Sequence, residues 1–415
     1  MLFVYYQNQM IGTLISQEDR VVFQYSSQWI ENSSAFPISL ALPLQSSPFS
    51  PTLSHAFFEN LLPEGEIKKA LLHVDSESLK TDFDFLKRFG VDCAGALVIT
   101  PHSYYAPPLE FDRYPLDLEQ IYTYLDQKKP LSLAMLYKQK AKFSLAGAQD
   151  KIPIIYEEKT LFLPLNGEAT SHILKPYVRS HQGTFDTPYN EYFCMRLAHK
   201  VGLNVPAVEL LEGRYPLYLV ERFDRFKDGL YRTRIHQQDF CQALGLKSIY
   251  KYQSDGGPSL VDLYTIIKNH SVQPIIDLNQ YLDWVWFNLW IGNHDHHAKN
   301  ISLLYTPQGL RLAPFYDLLS TAIYKGLSTD LCNSIGGCWK WHDLRQKHID
   351  LLASELGIKS QVFLNKGWNV GKRLLSSLDQ EIHDFEERFE EIKTADKIGR
   401  EVKKRVHHLK ARIIK

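Results

Sequence analysis

The stretch Trp290–Tyr305, WIGNHDHHAKNISLLY, concentrates side chains that can do chemistry, because it sets one aspartate among three histidines. Histidine and aspartate are good ligands for zinc, manganese or iron. The residues from His294 to His297 are consecutive, however, and consecutive side chains on a regular element point in divergent directions. The H-x-x-x-H spacing that puts two imidazoles on one helix face does not occur in this stretch. A metal-dependent hydrolase is therefore the less favoured interpretation of the cluster.

The residues beyond the histidines favour phosphoryl transfer. Asp295 and Asn300 reproduce the D-x-x-x-x-N spacing of a kinase catalytic loop, in which the aspartate accepts the substrate hydroxyl proton and the asparagine holds Mg²⁺. The sequence then predicts a hairpin with a turn in TPQG, and antiparallel pairing places Asn300 across from Phe315, with Asp317 just beyond. Two converging oxygen ligands suit Mg²⁺. The alternative, that Asp295 and Asp317 only cap local turns, is less favoured.

Residues on the N-terminal side supply candidate phosphate and nucleotide contacts. In FSLAGAQDKIPII, Gly147 and the alanines on either side of it are small enough for backbone N–H groups to approach a phosphate. The strand HILKP puts Lys175 among apolar neighbours, where its partner would be ATP phosphates or Glu191. For Lys175 alone, a side chain that reaches solvent from a strand end is equally favoured. The strand YLVERFDR suits a hinge in which Phe223 packs on adenine.

The predicted elements that must hold these residues run from sheet-rich to helical along the chain, which is a mixed α/β (α+β) class. In FFENLLPEGEIKKALL the PEG triplet interrupts a helical pattern, and LKTDFDFLKRFG predicts a helix capped by its glycine. The proline- and tyrosine-rich HSYYAPPLEFDRYPLD predicts a linker. We therefore expect an N-terminal sub-domain at residues 1–105, a sheet-rich core at 106–225 and a helical part at 226–415.

The sequence makes a specific structural prediction for each of two segments within residues 226–415. The helix LNQYLDWVWFNLWIGN is apolar nearly all round, so we expect it at the centre of its lobe. Near the end, acidic DQEIHDFEERFEE gives way to basic KIGREVKKRVHHLKARIIK, and this separation of charge predicts solvated faces of terminal helices.

Composition excludes several classes of protein. Lysine plus arginine equal aspartate plus glutamate at 47 each, so the average surface is not the basic field of a nucleic-acid binder. The five cysteines are scattered without a C-x-x-C pair, which argues against a disulfide framework or a thiolate zinc site and fits the cytoplasm. We expect no membrane segment and no export signal, since no apolar run approaches about 20 residues.

The motifs together resemble a known family. SLAGAQDK, HILKP, NEYFCMRLAHKVGLNVPAVEL, LVERFDR, SDGGP, NHDHHAKN and PFYD occur in the order found in the HipA-like serine/threonine kinase toxins of bacterial type II toxin–antitoxin systems. PISLALPL and FFENLLPEG resemble the N-terminal sub-domain of that family. The resemblance implies a bilobal protein-kinase-like fold and dependence on ATP and Mg²⁺. One departure is that His296 stands where a small residue is usual and His294 precedes the aspartate, so crowding there could alter nucleotide or substrate geometry.

The resemblance also implies roles for particular residues. It makes Asp295 the catalytic aspartate and puts Asn300 and Asp317 on Mg²⁺. It assigns contacts with ATP to Ser144, Ala146, Gly147, Ala148, Gln149, Lys151, Lys175, Glu221, Phe223, Gln237 and His297. It further makes Ser144 a site of autophosphorylation that silences the toxin, in agreement with the repulsion between a loop phosphate and the phosphates of ATP.

The partners follow from the resemblance as well. It implies a HipB-like helix-turn-helix antitoxin, with DNA contacted only through that partner, because this chain shows no obvious helix-turn-helix of its own. It implies an aminoacyl-tRNA synthetase, such as glutamyl-tRNA synthetase, as the substrate whose phosphorylation arrests growth. The alternatives are a weakly active kinase fold that serves as transcriptional co-repressor and, less favoured, a lipid kinase of related fold.

Overall fold

The computed structural model describes residues 1–74, 78–108, 110–127, 146–147, 149–177, 187–229, 231–390 and 392–413. The chain divides into two compact units, each formed from two segments. Unit 1 is Met1–Pro176 with Gly213–Ser248, and unit 2 is Tyr177–Glu212 with Ile249–Lys415. Both units are discontinuous in sequence, and the three consecutive domains expected from the sequence remain a prediction.

Unit 1 begins with a small antiparallel sheet whose strands are hydrogen-bonded in the order β3–β2–β1–β4. The strands are β1 Leu2–Tyr6, β2 Gln9–Gln17, β3 Arg20–Tyr25 and β4 Leu97–Thr100, and the helices beside them are α1 Ser27–Ile30, α2 Pro51–Glu59, α3 Gly65–Val74 and α4 Asp82–Phe89. Helix α2 packs on β3, where the rings of Phe23 and Phe58 lie 5.5 Å apart. The PEG triplet separates α2 from α3 and Gly90 caps α4, so both predictions from sequence are confirmed.

The second sheet of unit 1 carries the candidate nucleotide residues. Its strands lie in the order β5–β7–β6–β8–β10. They are β5 Arg113–Leu116, β6 Ile152–Glu157, β7 Thr160–Pro164, β8 His172–Pro176 and β10 Leu217–Glu221, and α5 Leu118–Asp126, β11 Arg225–Asp228, β12 Tyr231–Arg234, β13 Gln237–Asp239 and α7 Phe240–Leu244 complete the unit. The predicted linker is wrong over β5, which pairs with β7. Pro115 is tolerated in this strand because β5 lies at the edge of the sheet.

A buried network of charges lies inside unit 1. Arg222 donates to both oxygens of Asp224, at 2.9 Å each, and Arg225 donates to Asp92 at 2.8 Å. Arg234 reaches the same Asp92 oxygen at 3.2 Å. Burial acts to raise the pKa of Asp92, but Arg225, Arg222 and Arg234 outweigh it and lower this pKa to about 2. The network therefore ties the N-terminal segment to the strands after β10 through buried, ionised side chains that pair with one another.

We predict that Asp224→Asn destabilises unit 1 by about 3–5 kcal/mol, because breaking a buried ion pair leaves a guanidinium uncompensated. Urea unfolding followed by circular dichroism measures this change. Glu66→Ala is the control, since Glu66 pairs with Lys69 on the surface, where 86% and 73% of the side chains are exposed, and such pairs contribute little. Equal effects of the two substitutions would contradict a stabilising role for the network.

Unit 2 is mostly helical. Its elements are α6 Thr187–Lys200, β9 Val208–Leu211, α8 Leu260–His270, α9 Pro274–Ile291, β14 Ser302–Thr306, β15 Gly309–Leu312, α10 Gln346–Leu356, α11 Ser360–Arg388 and α12 Thr394–Ile413. Helix α9 is buried along its second half, with Trp284, Trp286 and Trp290 inside the core. Helix α11 can approach because Gly367 has no side chain, as a Cβ there would lie 2.4 Å from the Trp286 ring. The predicted central position of α9 is confirmed.

The mixed α/β class expected from the sequence is confirmed by these two units. None of the helices in the described ranges is long and apolar enough to cross a membrane.

Candidate active site

The hairpin of β14 and β15 sets the geometry of the candidate active site. Thr306 pairs with Gly309, so the Pro-Gln pair of TPQG forms a two-residue turn. At the other end, the ladder continues to a hydrogen bond of 2.9 Å from the Ala313 N–H to the Ser302 carbonyl. The register predicted from the sequence is therefore confirmed.

The candidate catalytic loop, residues 293–300, closes on itself just before this hairpin. The hairpin ladder does not continue to Asn300 and Phe315, because the Asn300 N–H donates to the His297 carbonyl and the Phe315 N–H donates to the Asn204 carbonyl, each at 2.8 Å. The predicted backbone pairing of Asn300 with Phe315 is therefore not formed. The Asn300 Nδ2 donates to the Asp295 carbonyl at 2.8 Å, and the Asp295 N–H donates to the Asn293 side-chain oxygen at 2.9 Å. A backbone carbonyl can only accept, so the Asn300 carboxamide presents its nitrogen to the loop and its oxygen to the opposite side. An amide oxygen is a ligand that Mg²⁺ accepts.

Asp317 follows the hairpin between two anchors. Before it, the Tyr316 hydroxyl donates to the carbonyl of Lys299 at 2.7 Å. After it, Asn190 of α6 accepts from the Ser320 N–H at 2.8 Å and donates to the Ser320 carbonyl at 2.9 Å. Asp317 itself has a left-handed φ of 58°, which is unusual for a residue with a side chain. Such strain persists only where neighbours impose it, and it concentrates at functional sites.

The histidines that flank Asp295 hold the loop in place. His294 Nδ1 donates to the Ser328 carbonyl at 3.0 Å, and His296 Nδ1 donates to the Asn293 carbonyl at 2.8 Å. Burial lowers the pKa of each imidazole to about 4, so both are neutral near pH 7. These bonds fix the tautomers, and the His294 Nε2 is then an acceptor that receives the Arg405 Nη2 at 3.1 Å. Across the described residues, no group of three His, Cys, Asp or Glu side chains could hold a metal ion.

Arg405 of α12 joins several parts of unit 2. It is 1% exposed and its guanidinium lies 4.5 Å from the centre of the Trp341 ring. Besides His294, its donors reach Glu401 at 2.9 Å and the carbonyl of Leu289, near the end of α9, at 3.1 Å. The expectation that this basic helix is solvated is therefore wrong at Arg405, because the partners that bury it lie far away in the sequence.

We predict that the stability of unit 2 falls as the pH drops from about 6.5 towards 4. Both loop histidines have a folded pKa of about 4 and an ordinary value of 6.5, so the unfolded state binds more protons in this window. At pH 5, each histidine lowers the free energy of unfolding by about 2 kcal/mol relative to pH 7. His296→Asn keeps a donor near the Nδ1 position but cannot titrate, so its unfolding free energy should fall about 2 kcal/mol less than that of the wild type.

Tryptophan fluorescence during urea unfolding at pH 7 and pH 5 measures this difference, since the Trp284 ring lies 5.4 Å from that of His296. The exposed His270→Asn serves as the control and should follow the wild type. A pH dependence in His296→Asn that matches the wild type would refute the assignment.

The side chain of Asp295 lies among aromatic and polar neighbours and is 42% exposed. The Tyr252 hydroxyl donates to its Oδ1. His297 Nε2 lies 3.9 Å from the same oxygen, and the Tyr252 and His297 rings meet edge to face with their centres 5.0 Å apart. Burial and then the negative charge of Asp295 raise the pKa of the Cys332 thiol.

Strands β8 and β10, which carry predicted nucleotide residues, are neighbours in the second sheet of unit 1. Lys175 on β8 is 5% exposed and stands opposite Tyr218 of β10, whose ring centre lies 5.8 Å from the ammonium nitrogen. Glu221 ends β10 and is exposed, while Phe223 just beyond it is half-buried. Gln237 opens β13, and its Nε2 donates to Asp224 at 2.9 Å. The hinge candidates are thus held by the buried charge network.

The predicted phosphate loop is described only in part. Ser144 and Ala148 lie outside the described residues. Gly147 has a left-handed φ of 104°, its carbonyl accepts from the Glu64 N–H at 2.9 Å, and a Cβ on it would lie 3.0 Å from the Lys151 ammonium nitrogen. Three other loop residues that are predicted to contact ATP are half-buried, namely Ala146, Gln149 and Lys151. The PEG segment of the N-terminal part therefore supports this loop directly.

Four residues that hold the site are absent from the sequence prediction. Tyr316 lies in PFYD beside Asp317, and Asn190 lies beside Glu191 at the start of NEYFCMRLAHKVGLNVPAVEL. In both motifs the sequence predicts a role only for the charged neighbour. Tyr252 precedes SDGGP, whose paired glycines are a signal for a constrained turn. Arg405 has no local signal, because its helix reads as solvated.

Two family models match the chain. The model of the HipA-like C-terminal domain matches residues 143–397. The model of the HipA N-terminal domain matches residues 2–100. The chain belongs to the HipA-like family.

Relatives cover most of the chain. The Sinorhizobium fredii protein Y4mE is 40% identical over 346 residues, 80% of either chain. The serine/threonine-protein kinase toxin HipA of Shewanella oneidensis is 28% identical over 90% of this chain and 87% of the relative. A chain from the solved Shewanella oneidensis MR-1 complex of HipA, HipB and operator DNA superposes with a TM-score of 0.81 at 24% identity, over 99% of this chain and 97% of that one. The kinase-like fold expected from the sequence is confirmed.

Proposed function

We propose that this protein is a serine/threonine protein kinase that acts as a toxin and is controlled by an antitoxin. The observation that carries the proposal is the closed loop that joins Asp295 to Asn300 and leads, through the confirmed hairpin, to the strained Asp317. Membership of the HipA-like family supports it, as does similarity to a relative named as a kinase toxin.

In unit 2, the proposed roles follow from the donor set. Asp295 accepts the proton of the substrate hydroxyl, and the Asn300 and Asp317 oxygens hold Mg²⁺. These residues fit the ion, because Mg²⁺ takes few oxygen ligands from protein and completes its shell with phosphate and water. When bound, ATP would supply the phosphoryl group and Mg²⁺ would neutralise the charge that develops on it. His297 is proposed to contact the nucleotide, since it lies beside Asp295.

In unit 1, Lys175 is the proposed phosphate-binding cation. Its burial at 5% exposure among apolar strands favours a charged ligand over a solvent-exposed lysine. Glu221 and Phe223 are proposed to bind adenine, with Gln237 beside them. The loop residues Ser144, Ala146, Gly147, Ala148, Gln149 and Lys151 are proposed to cover the phosphates.

We predict that Asp295→Asn lowers kcat roughly 10²- to 10⁴-fold, as expected for loss of a general base. Asp317→Asn should also lower kcat strongly and raise the Mg²⁺ concentration that the remaining transfer requires, because one ligand loses its charge. Incorporation of labelled phosphate from ATP into total cell protein measures both effects, and growth after induced expression should recover in both variants.

The surface variant Asp379→Asn is the matched control, since this side chain is 79% exposed and pairs with Lys403 on a neighbouring helix. It should keep wild-type transfer and toxicity. Full activity in a folded Asp295→Asn protein, with folding shown by circular dichroism, would refute the proposed catalytic role.

The regulation and partners are proposed from the family. We infer that a HipB-like helix-turn-helix antitoxin binds this chain and carries it to DNA, as in the related complex of HipA, HipB and operator DNA. The proposed substrate is an aminoacyl-tRNA synthetase such as glutamyl-tRNA synthetase, whose phosphorylation would stop charging and arrest growth in the cytoplasm.

For the regulatory serine, we predict that Ser144→Ala removes phosphate incorporation into the chain itself while transfer to other proteins continues. A phosphate carries nearly two negative charges and would repel the phosphates of ATP from the loop, so its loss should prolong growth arrest. Mass spectrometry of the purified wild type and variant locates the modification. Phosphate at the same level in Ser144→Ala would show that another residue is modified.

A further inference from the structure

We propose that Tyr252 is a positioning residue for the Asp295 carboxylate, held in place by the loop of residues 249–258. This inference rests on the proposed kinase function and adds a residue to it. The loop carries the SDGGP motif, for which neither the sequence nor the family models give a role.

The contact between Tyr252 and Asp295 has the chemistry of an orienting hydrogen bond. The phenol donates to Oδ1, while the edge-to-face contact with His297 fixes the plane of the tyrosine ring. Because Asp295 is 42% exposed, burial does not restrict its side-chain rotation fully. One charge-assisted bond to a rigid ring restricts that rotation and fixes which way the carboxylate faces.

Backbone hydrogen bonds hold Tyr252 in a tight turn. The Tyr252 carbonyl accepts from the N–H groups of Asp255 and Gly257, at 3.1 and 2.9 Å. A Cβ on Gly257 would lie 2.0 Å from the Tyr250 carbonyl oxygen, so a residue with a side chain does not fit this turn. The Lys251 carbonyl accepts from the Ala298 N–H at 3.1 Å, which joins the turn to the catalytic loop next to the tyrosine contact.

A second side of the same loop is tied to the segment after Asp317. The Gln253 side-chain oxygen accepts from the Ser334 N–H at 2.8 Å, and the Asn333 Nδ2 donates to the Pro258 carbonyl at 3.0 Å. Tyr252 therefore stands on a turn that is fixed from both sides. A tyrosine with only a packing role would not need its hydroxyl directed at the aspartate.

The experiment compares Tyr252→Phe, which removes only the hydroxyl, with Tyr281→Phe. Tyr281 is a buried tyrosine of the same unit whose hydroxyl donates to the Leu260 carbonyl at 2.8 Å. Tyr252→Phe should lower kcat roughly 10- to 100-fold with an unchanged KM for ATP, because the base is misoriented while the nucleotide contacts remain. Tyr281→Phe should change thermal stability but not kcat.

The pH dependence separates positioning from simple packing. A hydrogen bond donated to a carboxylate favours its charged form, so the acid limb of the kcat/KM profile should move to higher pH in Tyr252→Phe. The variant keeps His297, whose Nε2 lies 3.9 Å from Asp295 Oδ1, and Cys332, whose thiol pKa is raised by burial and by the Asp295 charge. It also keeps Lys251, whose ammonium lies 5.7 Å from the centre of the Tyr252 ring. An unshifted acid limb with a wild-type kcat would overturn the role of Tyr252 and leave the kinase function standing.

A readout without turnover keeps the two proposals distinct. The ¹³C resonance of the Asp295 carboxyl, assigned by its loss in Asp295→Asn, can be titrated in the wild type and in Tyr252→Phe. Its midpoint should move to higher pH in the variant. If the wild type transfers no phosphate, the kinase proposal fails, and identical midpoints in the two proteins overturn the role of Tyr252.

Discussion

The hydrogen bond from the Asn300 carboxamide to the Asp295 carbonyl is the constraint on which the candidate active site depends. It closes the loop with a side chain rather than with regular backbone pairing, so the aspartate can stand clear of any helix or strand. The same bond directs the amide oxygen away from the loop, because a carbonyl offers no proton. The neighbouring Lys299 carbonyl is also used, as the acceptor for Tyr316. Two carbonyls of this loop thus accept hydrogen bonds from side chains: that of Asp295 from Asn300, and that of Lys299 from Tyr316, which directly precedes Asp317.

The two units achieve rigidity by different physical means. Unit 1 fixes its candidate hinge segment with buried, ionised side chains that pair with one another, as around Asp92 and Asp224. Unit 2 packs large rings against backbone, as where Trp290 donates to the carbonyl of Gly367 at 3.0 Å. Buried charges fix orientation strongly because any misalignment leaves them unpaired. Ring packing is less directional, and in unit 2 specific hydrogen bonds orient the candidate catalytic loop.

Sequence alone predicts the features whose information is local. The hairpin register follows from a two-residue turn between alternating strands, and the central place of α9 follows from its uniform apolarity. The contacts that direct the site join distant positions, since Tyr252 and Asp295 are 43 positions apart in the sequence and His294 and Arg405 are 111 apart. No local pattern marks such pairs. Arg405 shows this most clearly, because its sequence neighbours are those of an exposed basic helix.

The position of Arg405 has a consequence for the timing of maturation. Ribosomes make His294 111 residues before the guanidinium that supports it, an interval of roughly 5–20 s of elongation. Until α12 emerges, the imidazole Nε2 lacks its donor and the Trp341 ring lacks its cation. A nascent chain that lacks α12 therefore carries the loop of residues 293–300 without the hydrogen bond that Arg405 donates to His294, so this support forms only after that helix has been made.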